Sequence, residues 1–217
     1  MSKIEPLNCR IEPLQQSHLL ALETIALRGD LDASYTIIPS TPSAFRAYAA
    51  DALALAYAGR AHVYAILQHQ RVVGTTRLVL ESWSSNPAHT APAFMLQQFQ
   101  AGEIGWTWLA PEVRGTGVNE VAKLRLLTQA FEELKLLRVC LKTDARNLRS
   151  RAAIEKLGAH ADGVLRAHMC AADNHVRDSA FYSIVADEWP STKAMLEKRI
   201  AEAEEAADAA PRTSRMY

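Results

Sequence analysis

The sequence predicts a mixed α/β domain built on a sheet of about seven strands. Strand-like and helix-like runs alternate along the chain instead of segregating into halves. Short stretches rich in Val, Ile, Thr, Tyr and Trp recur between turn residues. The middle of the chain carries a strand–loop–helix–strand–helix unit, from Glu103 to Leu157.

Each element follows from local pattern. Cys9 to Leu14 alternates and meets Pro13, which reads as a short strand. Ser17 is placed to cap a helix running to about Leu27, with Leu19, Leu20, Leu22 and Ile25 as its apolar residues. Ser43 to Ala58 is alanine-rich and stops at Gly59, which predicts a second helix. Ala61–Gln68 and Arg71–Glu81 are strand-like and nearly contiguous, so they predict a hairpin around His69. Ser82 to Ala101 breaks the pattern and reads as a long connection. Glu103 to Leu109 is aromatic and β-prone. From about Asn119 to Lys135 the period turns helical. Leu127, Ala130, Phe131 and Leu134 form the apolar stripe, with Arg125, Gln129 and Glu132 facing away. Arg138–Thr143 is a strand, and Asn147–Leu157 a helix stopped by Gly158. Val164–Met169 and Val176–Val185 form a strand pair with Asp173-Asn174 in the turn. A last helix runs from about Glu188 past Lys198. Residues 1–200 thus read as one domain, and 201–217 as an Ala/Glu-rich helix end and a tail.

Composition excludes several classes. Lys+Arg and Asp+Glu are both 24, so no global field for nucleic acid or membrane is expected. The three cysteines stand alone without a CxxC pair, which argues against a zinc knuckle or redox pair and predicts no metal. Sparse cysteines suit a reducing cytoplasm. Met1–Arg10 lacks the apolar core of roughly 7–15 residues that a signal peptide needs. No stretch approaches the roughly 18–20 apolar residues that span a bilayer.

The loop Arg114-Gly115-Thr116-Gly117-Val118-Asn119 is the most informative motif. A helix start presents unpaired N–H groups and a positive dipole end, and glycines let backbone approach a ligand. Together they predict a phosphate site. A Walker A loop needs Gly-Lys-Ser/Thr, but Val118 and Asn119 follow Gly117. A dinucleotide fingerprint needs glycine where Glu120 stands. The pattern Gln/Arg-x-x-Gly-x-Gly/Ala accommodates Arg114 to Gly117, with Asn119 departing at its last place.

That third pattern resembles the pyrophosphate loop of the GNAT acetyltransferases. The resemblance extends over Glu103-Ile104-Gly105-Trp106, Leu109-Ala110-Pro111, Ala130-Phe131-Glu132-Glu133-Leu134 and Asn147-Leu148-Arg149-Ser150-Arg151-Ala152. It continues through Lys156-Leu157-Gly158, Gly163-Val164-Leu165-Arg166 and Tyr182 to Trp189, and is similar to the RimJ/RimL-type branch. It implies a twisted mixed sheet whose two central strands splay apart around acetyl-CoA. It implies transfer of the acetyl group to an acceptor amine by direct attack. Backbone of Trp108, Leu109 and Ala110 would meet the pantetheine arm, and Arg114, Gly115, Thr116, Gly117, Val118 and Asn119 the pyrophosphate. Asn147 and Ser150, three apart, would lie beside the thiol, with Ser150 hydrogen-bonding the leaving sulfur or capping its helix.

The candidate base is Asp162, in the family's acidic place but one methylene short, or Glu103 on the cofactor strand. Each has an ordinary surface carboxylate or ion pair as its alternative. His168 and His175 read more readily as structural. Trp83, Trp106 and Trp108 are candidate lining for an acceptor pocket, and Trp106 and Trp108, two apart, share a sheet face. Arg146, Arg149 and Arg151 form a basic cluster suited to the cofactor's 3′-phosphate, to an acidic acceptor or to a solvated helix face. The acceptor is expected to be a peptide or protein N-terminus or a small-molecule amine; a CoA-binding regulator without turnover is the third reading. The resemblance also implies a homodimer.

Overall fold

The computed structural model describes residues 6–31, 35, 38–81, 101–170 and 175–209. Trp83, most of the 82–101 connection, Asp173-Asn174 and the 211–217 tail lie outside them.

Seven strands form one sheet: β1 (Cys9–Pro13), β2 (Ala61–Gln68), β3 (Arg71–Glu81), β4 (Ala101–Leu109), β5 (Arg138–Asp144), β6 (His160–Cys170) and β7 (Val176–Val185). Their order is β1-β2-β3-β4-β5-β7-β6. All neighbours are antiparallel except β4 and β5. The β4–β5 ladder holds only Ala101↔Arg138, Gly102↔Val139 and Glu103↔Cys140. Beyond Glu103 the two strands part, which is the splay that the resemblance implies.

Five helices flank the sheet: α1 (Gln16–Ala26), α2 (Pro42–Tyr57), α3 (Val118–Thr128), α4 (Leu148–Glu155) and α5 (Trp189–Ala209). Ala52 and Leu55 of α2 pack on Ala61, Val63 and Val79, covering one face. Leu126 and Leu127 of α3, Ile154 of α4 and Leu196 of α5 share the opposite core with Leu78, Ile104, Val139, Leu141 and Tyr182. Leucines and isoleucines fully withdrawn from water each contribute about 1.5–3 kcal/mol to that core.

Several local expectations are corrected. Helix α1 starts at Gln16, so Ser17 lies in its first turn; the Gln15 N–H donates instead to His18 Nδ1 at 3.2 Å. The hairpin between β2 and β3 turns on His69 and Gln70, both left-handed at φ 47° and 64°, the geometry of a two-residue type I′ turn. The helix after the glycine loop is not uniform, because α3 gives way to a π turn over Gln129–Glu133. Gln129 faces inward there. Its amide accepts from the Tyr64 hydroxyl at 2.6 Å and meets His62 Nδ1 at 3.2 Å.

Candidate active site

The glycine loop is assembled by a chain of backbone constraints. Ala110 N–H donates to Val73 O at 2.8 Å, ending β4. A 3-10 turn over Pro111–Val113 follows. Thr116 Oγ1 donates to Val113 O at 2.8 Å, and Arg114 Nε to Leu109 O at 3.2 Å, folding the loop back on the strand end. Gly115 and Gly117 hold φ of 74° and 90°, values that a β-carbon would strain. Gly117 is the N-cap of α3 and provides no side-chain cap. The first N–H groups of α3 therefore keep their capacity for an anion. Gly115 and Thr116 are exposed, and nothing lies within 4 Å of where a Gly115 Cβ would stand. Gly117 differs: its would-be Cβ meets Leu7 Cδ1 at 2.5 Å and Ala203 Cβ at 3.2 Å.

The start of α4 stands on the same sheet face, at the open end of the wedge. Asn147 is buried and acts as its N-cap, with Oδ1 accepting from Ser150 N–H at 3.0 Å. The pair is thus joined through the Ser150 backbone N–H. The Ser150 hydroxyl makes no hydrogen bond among the described residues. Most of the basic cluster has structural work. Arg146 forks onto buried Asp144 at 2.8 and 3.0 Å, which holds that carboxyl below its usual range. Arg151 donates to the Tyr182 hydroxyl and to Ala145 O.

The opposite face carries the carboxylates. Glu103, Cys140 and Ser183 stand in one transverse row, and Asp162 joins it from the edge strand. Glu103 is nearly buried. Its Oε2 accepts from Lys142 Nζ at 2.6 Å, while Oε1 lies over Gly105, 3.1 Å from where a Cβ would be. Asp162 has both oxygens engaged, Oδ1 by Ser183 Oγ at 2.9 Å and Oδ2 by Arg138 at 2.7 Å. Burial pushes the Cys140 thiol up, and Glu81, Asp162 and Glu103 act in the same direction. His168 meets Ser179 Oγ at 3.0 Å and the Phe181 ring edge-on. Burial, then the positive charges of Lys142 and Arg177, lower its pKa. His175 is exposed next to β7.

Strand β4 is bulged where the wedge opens. Gly105 pairs with Arg77 but Trp108 with Thr75, one residue out of step, and Trp106 takes the left-handed φ of 50°. Trp106 and Trp108 nevertheless serve one cluster. The Arg77 guanidinium lies 4.5 Å from the Tyr48 ring centroid and 5.4 Å from that of Trp106, and Tyr48 is 6.5 Å from Trp108.

Two buried cations escape sequence reading. Arg77 has no exposed surface and pairs with Asp51 at 2.7 Å. Lys123 of α3 is buried against the bulge, donating to Thr107 Oγ1 at 2.5 Å and Thr76 Oγ1 at 3.2 Å. Burial alone lowers its pKa to about 7. The only available signal was a polar residue on the inward side of an apolar period. Among the described residues no cluster of His, Cys, Asp and Glu could hold a metal ion, and no helix is long and apolar enough to cross a membrane.

This geometry agrees with relationships to known proteins. Residues 9–160 match the acetyltransferase (GNAT) domain family. The chain is 37% identical over 91 residues to the "Putative ribosomal N-acetyltransferase YdaF" of Bacillus subtilis (strain 168), a match covering 42% of this chain and 49% of that one. The chain thus spans about half the length of this curated relative. A solved "putative acetyltransferase from T. thermophilus" is 33% identical, with 88% of this chain and 93% of that chain covered at a TM-score of 0.69. Mycobacterium smegmatis RimJ, solved in complex with CoA-disulfide, shares the fold at TM-score 0.70 and 21% identity, covering 89% of this chain and 90% of its own. On the domain match and the 33% identity over most of its length, this chain belongs to the GNAT acetyltransferase family.

Proposed function

We propose that the chain is an acetyl-CoA-dependent N-acetyltransferase whose acceptor is the N-terminus of a protein or peptide. The observation that carries this is the Arg114–Asn119 loop, open to solvent at the uncapped start of α3, beside strands that part after Glu103. An uncapped helix start with left-handed glycines fits a pyrophosphate, and the end of β4 at Trp108, Leu109 and Ala110, which has no ladder to β5 beyond Glu103, is where we set the pantetheine arm. The names of the relatives, a ribosomal N-acetyltransferase and a "Ribosomal L7/L12 alpha-N-protein acetyltransferase", support the acceptor class. A single acetyltransferase domain over 1–200 serves this reading, with residues 201–209 continuing α5. We propose also a homodimer and a cytoplasmic setting; apolar Val164 and Leu165 on edge strand β6, each 51% exposed, are in keeping with pairing.

Acetyl-CoA supplies an activated acyl group as a thioester. The residues must then present a neutral amine to that carbonyl, take the amine's proton and hydrogen-bond the departing sulfur. Glu103 is the better base of the two carboxylates, because its Oε1 accepts no hydrogen bond among the described residues whereas Asp162 has both oxygens engaged. Ser150, whose N–H donates to Asn147 Oδ1 at the start of α4, is the residue we assign to hydrogen-bond the departing sulfur.

Asn119→Asp tests the loop. A carboxylate in the first turn favours the helix but repels a pyrophosphate. We expect unchanged or higher thermal stability with acetyl-CoA affinity down about tenfold, a change of about 1.4 kcal/mol, by calorimetry. In the same assay Glu103→Gln slows acetyl transfer to peptides without weakening cofactor binding. Equal affinity of Asn119→Asp and the parent would remove the loop from the cofactor site.

A further inference from the structure

Among the described residues, four buried side-chain atoms have no hydrogen-bond partner: Tyr48 Oη, Arg77 Nε, Trp108 Nε1 and Arg138 Nε. Three of the four belong to the cluster on the α2 face of β3 and β4. Tyr48 lies 4.5 Å from the Arg77 guanidinium and 6.5 Å from the Trp108 ring. Each such atom left unsatisfied costs about 1–3 kcal/mol. Native proteins rarely leave one, and three on residues gathered around Tyr48 call for a common cause.

The chemistry of the three atoms is one-sided. Guanidinium Nε–H and indole Nε1–H only donate, and a phenol donates readily. Such a group of atoms rejects an ammonium and receives an oxygen. The charge of Arg77 is already matched, since Nη1 pairs with Asp51 at 2.7 Å and Nη2 donates to Tyr48 O at 3.2 Å. A second anion would be in excess; a neutral carbonyl oxygen fits. Arg77 also pairs with Gly105 across the strands, and Glu103 Oε1 lies over that same Gly105. A carboxylate for an amine therefore stands next to donors for a carbonyl. An α-amino group followed by an amide carbonyl has that order of groups.

We propose that Tyr48, Arg77 and Trp108 form a binding site for the first amide carbonyl of the acceptor, so that the enzyme selects peptide N-termini over amines lacking that carbonyl. Trp106, 36% exposed and lying over the guanidinium, is the side chain that moves to admit it. This rests on the acceptor class proposed above and sharpens it by naming the group recognised.

Tyr48→Phe and Trp108→Phe delete the donors and keep a ring. Because neither donor has a partner within the described residues, Tyr48→Phe should melt no lower than the parent, whereas Trp108→Phe empties part of a buried site and should melt somewhat lower, so affinities are read well below both transitions. The probes are tetra-alanine amide and its analogue with the first carbonyl reduced to a methylene. Affinities are read by calorimetry on the full chain, alone and saturated with CoA, with acetyl transfer followed in parallel. We expect the peptide to bind each variant about tenfold more weakly than the parent. The reduced analogue should bind the parent equally weakly and be indifferent to the substitutions. Peptide affinity unchanged in both variants, equal binding of peptide and analogue by the parent, or no peptide binding at all overturns the proposal; the donors then serve an internal water. Carbonyl-dependent peptide binding without acetyl transfer overturns the catalytic reading and leaves this site standing.

Discussion

Lys123 ties the stability of this protein to pH. It is buried, and among the described residues its hydrogen bonds go to two hydroxyls and to no anion. Its pKa falls from an ordinary 10.5 to about 7. Between those values the unfolded chain holds more protons than the folded one, so stability rises with pH. Below about 7 both states are protonated and the full cost of burying the charge is present, of the order of several kcal/mol. Lys123→Met removes that cost. The threonines stay satisfied, because Thr76 Oγ1 and Thr107 Oγ1 are 2.7 Å apart. We expect the variant to be more stable than the parent in urea at pH 7, with the advantage shrinking toward pH 10. Parallel stability–pH curves for the two proteins would show that Lys123 does not titrate as its surroundings demand.

At the scale of elements, the two glycines of the loop do different work. Both have left-handed backbone, which costs an alanine roughly 1–2 kcal/mol. Gly115 has open space around it. Gly117 would push a methyl between Leu7 and Ala203, adding roughly 1–3 kcal/mol of overpacking. Gly115→Ala should therefore cost about 1–2 kcal/mol and Gly117→Ala about 2–5 kcal/mol in urea unfolding; equal losses would mean that Leu7 moves aside freely. A Gly117 variant that loses cofactor reports on packing, whereas Asn119→Asp reports on charge. The loop itself was legible, since glycine spacing before an apolar period is a local signal. So were the strands: β2 and β3 fall at the expected residues, because alternation and turn residues are local too. The π turn at Gln129 was not. One extra residue in a helical turn redirects side chains without disturbing the apolar stripe on Ala130 and Phe131. The Tyr48–Arg77–Trp108 cluster was equally invisible, because its members meet only once α2 crosses β3 and β4. Trp108 alone was flagged, for its type and its strand.

The turn before β1 and the last turns of α5 meet behind the loop. Leu7 N–H donates to Glu204 Oε1 at 2.9 Å, and Leu7 and Ala203 close on Gly117. Cys9 and Ile200 share one core with Val118 and Val121 of α3. The turn before β1, the start of α3 and the end of α5 thus form one junction, and the Arg114–Asn119 loop is its outer surface. Holding the loop there before ligand arrives matters, because ordering one residue's backbone costs about 1–2 kcal/mol. A chain truncated after Ile200 loses the Ala203 and Glu204 contacts but keeps Ile200 in the core. The sheet should still unfold cooperatively, since its other contacts are untouched. The loop, unbraced, must be ordered by the cofactor itself, so acetyl-CoA affinity should fall about tenfold, which corresponds to ordering one residue. Calorimetry on the truncated chain measures this directly. An affinity equal to the full chain's would mean that β4 and α3 alone hold the loop, and that the end of α5 only covers it.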